Sequence, residues 1–107
     1  MNYEELCKKI HDFNEERDWD QFHSLSNLAK SVSIEAGELL ECFQWDDEHP
    51  DLHAVEEEMA DVFTYLLDMA KKMGIDLLEV TSRKMDRNAE KYPVEKARGN
   101  NTKYDKL

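Results

Sequence analysis

The chain has 107 residues and 25 acidic against 14 basic side chains, giving a formal net charge of −11. That length fits one domain, and a charge this negative excludes long-range attraction to nucleic acid polymers or anionic membrane surfaces. No apolar run approaches the roughly 18 residues of a membrane span, and the charged start MNYEELCKKI is not a secretory signal.

Turn signals are few, with three Gly and two Pro, and β-branched alternation is nearly absent. Helical periodicity therefore predicts an all-α chain. Tyr3, Leu6, Ile10 and Phe13 mark a first helix, and RDWDQFHSLSN then breaks the pattern as a loop. A second helix is predicted from about Leu25 to Trp45, with Leu28, Val32, Leu39 and Cys42 at the spacing of a buried seam. DDEHPD is a connector, because Pro50 and the acids around it stop one helix and start another. The third helix, about His53 to Met73, has its seam at Val55, Met59, Val62, Leu66, Met69 and Met73, with Phe63, Leu67 and Ala70 widening the apolar surface. A helix apolar over so much of its circumference is surrounded by partners, which implies another subunit. Gly74 closes it, Asp76 and Glu79 have capping-box spacing, and a fourth helix runs from Leu77 to about Lys91 before Pro93. The expectation is a single domain over 1–107 folded as a four-helix bundle, with the tail from about 93 mobile or ordered by a partner. Cys7 and Cys42, each in a helical apolar pattern, are expected to be free thiols in a reducing cytoplasm.

One position breaks the second helix's seam. Glu35 falls on it where an apolar residue belongs, and Glu38 follows one turn later. Glu58 and Asp61 repeat that spacing on the third helix, also on or beside its seam. Antiparallel packing would bring the two pairs together, and four converging carboxylates repel one another unless a cation joins them. Carboxylate oxygens suit Mg²⁺ or Mn²⁺. Such spacings also arise on solvated faces in a chain this acidic, and placement at a seam is what separates these four. A di-iron centre draws on Glu-x-x-His pairs, and neither pair here ends in His. His49 and His53 straddle Pro50, a poor arrangement for zinc. Around the acids, Tyr65 lies one turn after Asp61, and Trp19, Phe22, His23 and Trp45 are aromatic groups in or beside loops, suited to a planar base or to ordinary core. Lys84, Arg87 and Lys91 give the fourth helix a basic face that is either solvated or turned to phosphate.

In this order EAGE, FQW and EMAD resemble the MazG-like nucleoside triphosphate pyrophosphohydrolases. ERDWDQFHS, GELLECFQW and KMDRNAEKYP extend the similarity toward the small dCTP pyrophosphatases, over roughly residues 13 to 104. The resemblance implies hydrolysis between the α- and β-phosphates of a nucleoside triphosphate such as dCTP, giving monophosphate and pyrophosphate. It implies Mg²⁺ held by Glu35, Glu38, Glu58 and Asp61. For in-line attack of water on the α-phosphorus, our own assignment of the general base is Glu38, with Glu35 or Glu41 as alternatives. The resemblance also implies a base and sugar pocket shaped by Trp19, His23 and Trp45 with Tyr65 nearby. Lys84, Asn88, Lys91 and Tyr92 would contact phosphate and sugar, and the protein would be a cytoplasmic homodimer or homotetramer. The rival expectation is a non-catalytic acidic bundle used for oligomerisation or partner binding.

Overall fold

The computed structural model describes residues 1–106. Its α-helices are α1 (Tyr3–Glu16), α2 (Leu25–Glu41), α3 (Leu52–Met73), α4 (Leu77–Lys91) and α5 (Val94–Ala97), with single 3₁₀ turns at Asp20–Phe22 and Tyr104–Lys106. The all-α expectation holds, but the helix count is five rather than four. The extra helix is one short turn in the tail, started by Pro93, whose carbonyl accepts from Lys96 and Ala97 backbone N–H groups. Among the described residues no helix is long and apolar enough to cross a membrane.

Side-chain caps fix where the long helices begin. Asn2, Ser24, Asp51 and Asp76 each accept a backbone N–H of the first turn, a contact worth about 1 kcal/mol apiece. Gly74 ends α3 at φ 69°, the left-handed conformation that glycine adopts without strain. The second helix stops at Glu41, four residues short of the expected Trp45. There the backbone switches to tighter bonds, Phe43 N–H to Leu40 and Gln44 N–H to Glu41, and the aromatic residues beyond leave the helix axis.

The chain divides into a unit from Met1 to Ile75 and a second beginning at Asp76. In the first, α2 and α3 pack against each other, and α1 lies against α3. Its core is small: Leu28, Leu67 and Ala70 are the buried hydrophobic residues. Half of the α3 seam read from the sequence points outward instead, with Met59, Leu66 and Met73 each at least 36% exposed, and Phe63 beside it is 44% exposed. The helix is apolar nearly all round, so periodicity alone leaves its rotational phase open. Cys7 and Cys42 are both free. In the second unit, Tyr92 meets Tyr104 edge to face at 6.1 Å, and the Lys91 ammonium lies 4.9 Å from the Tyr104 ring centre.

Candidate active site

The packing of α2 on α3 brings Glu35, Glu38 and Glu58 together, with one carboxylate oxygen from each lying within 4.8 Å of the others. Glu35 Oε2 and Glu58 Oε2 are wholly buried and have no hydrogen-bond partner among the described residues. Such atoms are costly to leave unpaired. Burial, the adjoining Glu38 carboxyl, and the charges of Asp61 and Glu58 push Glu35 up to about 7. Burial, then Glu38 and Asp61, raise Glu58 as well. Asp61 is thus close enough to act on both.

A second acidic group on α1 makes a useful contrast. His11, Asp12 and Glu15 also come together. There Glu15 pairs with His11 at 2.8 Å and Asp12 with Lys8 at 2.6 Å, and the Lys8 contact holds Asp12 below its ordinary value. That group already has its counter-charges. The group on α2 and α3 has none, and its all-oxygen donor set fits a hard divalent cation.

Beside these acids opens a cavity of about 490 Å³, to which Glu35 and Asp61 both contribute. Trp19, His23 and Tyr65 line it. Trp19 is held there from below: its ring meets Phe13 edge to face at 5.5 Å, and the Arg17 guanidinium covers Phe13 at 3.8 Å. The turn that carries Trp19 contains Asp18 at φ 54°, steadied by the Gln21 amide donating to the Asp18 carbonyl and carboxylate. Burial, then the charges of Glu35 and Asp61, raise the Tyr65 phenol. It therefore stays a hydroxyl donor at neutral pH.

Not every candidate joins this cavity. Phe22 and Trp45 are outside its lining, at 60% and 89% exposed. Lys84, Asn88 and Lys91 lie on α4 and Tyr92 caps it, all in the second unit. Lys84 is lowered chiefly by the charge of Lys91 and by burial, then by Arg87, so the three cations do share one face of α4. Conversely, α1 supplies part of the cavity wall, and Asn14 and Asp68 stand in it. The sequence held a signal for Asp68, an acid inside the apolar run YLLDMA, of the same kind that singled out Glu35.

Comparison with known proteins identifies the family. A match to the MazG-like family covers residues 30–107. The chain is 39% identical to dCTP pyrophosphatase 1 of Bos taurus and 38% identical to that of Homo sapiens, over 96% of its length and 67% and 66% of theirs. It thus spans about two thirds of those relatives. A solved structure of a pyrophosphatase from Archaeoglobus fulgidus superposes with a TM-score of 0.79 at 43% identity, covering 84% of this chain and 91% of the other. In sequence and in fold, the chain belongs to the MazG-like family.

Proposed function

We propose that the protein is a dCTP diphosphatase-like enzyme that hydrolyses dCTP, or a related pyrimidine deoxynucleoside triphosphate, to monophosphate and pyrophosphate. The observation that carries this reading is the pair of buried, unpartnered carboxylate oxygens on Glu35 and Glu58, the first of which lines an aromatic cavity. The pyrophosphatase names of the relatives support the reaction class.

Glu35, Glu38, Glu58 and Asp61 would hold Mg²⁺, with Mn²⁺ a chemically similar occupant. When bound, the ion supplies charge neutralisation between an acidic protein and an anionic triphosphate, and it polarises the phosphoryl group. Trp19 offers a face on which a base stacks, with His23 beside it. Tyr65 donates a hydrogen bond without carrying charge. Glu38 takes the proton of the water that attacks the α-phosphorus in line with the departing pyrophosphate. Phe22 and Trp45 supply further aromatic surface. Lys84, Asn88, Lys91 and Tyr92 bind phosphate and sugar, and the two lysines compensate charge on the leaving group. The exposed apolar face of α3, with Met59, Phe63 and Met73, is the contact through which copies pair as a dimer or tetramer in the cytoplasm.

The test is product analysis. Purified protein is incubated with each common triphosphate and Mg²⁺, and monophosphate, pyrophosphate and orthophosphate are quantified. Expected are dCMP and pyrophosphate in equal amounts, with no turnover in EDTA. Orthophosphate as the released product overturns the reaction. No turnover of any triphosphate and no Mg²⁺ binding leaves the non-catalytic bundle.

A further inference from the structure

Asp68 is the one buried charged residue among the described residues, 8% exposed, on α3 between Leu67 and Ala70. A leucine there would carry no charge out of water, whereas a buried carboxylate costs several kcal/mol unless partnered. Its partnering is incomplete. Asp68 Oδ1 accepts from the Asn14 amide at 2.9 Å, across from α1. Its other oxygen has no donor among the described residues. Burial pushes the Asp68 carboxyl up, against the Asn14 hydrogen bond and the charge of His23, so a further donor would be welcome there.

Asn14 and Asp68 line the same cavity as Trp19, Tyr65 and Asp61. Along α3, Asp68 is seven residues from Asp61, about 10 Å at the helical rise. That is the order of distance separating a nucleotide's α-phosphate from the exocyclic group of its base. A phosphate group near Asp61 therefore carries the base edge toward Asp68.

We propose that Asn14 and Asp68 select the base, with the Asn14 amide holding Asp68 so that its free oxygen accepts from the exocyclic amine of an amino-bearing pyrimidine. A keto oxygen in that position faces an acceptor with an acceptor and is rejected. The assignment rests on the proposed nucleotide reaction and names the residues that set its substrate class. A site built around one hydrogen bond to its ligand discriminates steeply against analogues lacking the group.

The test compares dCTP with dUTP, which differ at that group and in the proton on N3, in the wild-type chain and in Asp68→Asn, Asp68→Ala and Asn14→Ala. Wild type is expected to favour dCTP in kcat/KM by about 10⁴-fold. Asparagine at 68 keeps an acceptor for Asn14 and turns an N–H₂ toward the cavity, so the ratio falls to one or below. Alanine at either position reduces it. A structural tie between α1 and α3 would instead lower both substrates alike and leave the ratio standing. Calorimetric titration of dCMP and dUMP without metal gives the same ratio for binding alone. A wild type indifferent to the amine, or a ratio unchanged in every folded variant, overturns the assignment while leaving dCTP hydrolysis intact. If no triphosphate is cleaved yet dCMP still outbinds dUMP through Asp68, the reaction falls and the base selection stands.

Discussion

Replacing Glu35 by glutamine exchanges activity for stability, and the size of the gain follows from the site. The Glu35 carboxyl sits at about 7 against an ordinary 4.5. At about 1.4 kcal/mol per pKa unit, keeping it ionised costs the fold at most about 3 kcal/mol. Solvent reaches this half-buried cluster, and screening reduces the figure to about 1–2 kcal/mol. Because the folded-state value lies above the unfolded one, folding favours the protonated form. The stability it contributes is complete below about 4.5 and is lost as pH rises through about 7. In EDTA, Glu35→Gln should therefore match wild type near the lower value and exceed it above the higher one, by about 5 °C in melting temperature. Thermal unfolding of both proteins across that range measures the difference, and subtracting one curve from the other removes the pH response of acids that do not interact with Glu35. Added Mg²⁺ should then raise the melting point of wild type and leave the variant behind. A variant that melts below wild type in EDTA on the alkaline side refutes the account of Glu35 as an uncompensated charge.

Glu38→Gln and Asp61→Asn should each lower Mg²⁺-dependent pyrophosphate release by at least about 10²-fold with the helical circular dichroism unchanged; retained turnover removes the assigned roles. Met59→Glu places a charge on the exposed face of α3 and should shift the sedimentation coefficient toward that of a single chain. An unaltered assembly would put the subunit contact elsewhere. Gly74→Ala should cost about 1 kcal/mol in urea unfolding, because φ is 69° there while an added Cβ meets nothing within 4 Å. A stabilised variant would contradict the left-handed cap.

The four long helices were legible because their boundaries are written in local chemistry: Ser24, Asp51 and Asp76 cap, and Gly74 ends a helix. The acid cluster was legible for a related reason. Glu35 interrupts an otherwise apolar seam, and an interrupted seam is visible without coordinates. What stayed hidden depended on tertiary choice. FQW continues the apolar pattern of α2, so nothing local showed that carbonyls at Leu40 and Glu41 would accept tighter bonds. On α3 nearly every phase buries something apolar, so the stripe through Met59 and Met73 looked as good as the one through Leu67 and Ala70. Asn14 was invisible for another reason. An asparagine on the polar side of α1 becomes informative only once Asp68, 54 residues away, is found against it.

The two tryptophans stand in very different surroundings. Trp45 is 89% exposed, whereas Trp19 rests on Phe13 and faces the cavity. Their emission should differ accordingly, with Trp45 the more red-shifted and the more quenched by iodide, and Trp19, at 43% exposed, the less. Removing the first indole by Trp45→Phe leaves Trp19 as the single tryptophan, and with excitation selective for indole, occupancy of the cavity becomes a light signal that needs no label.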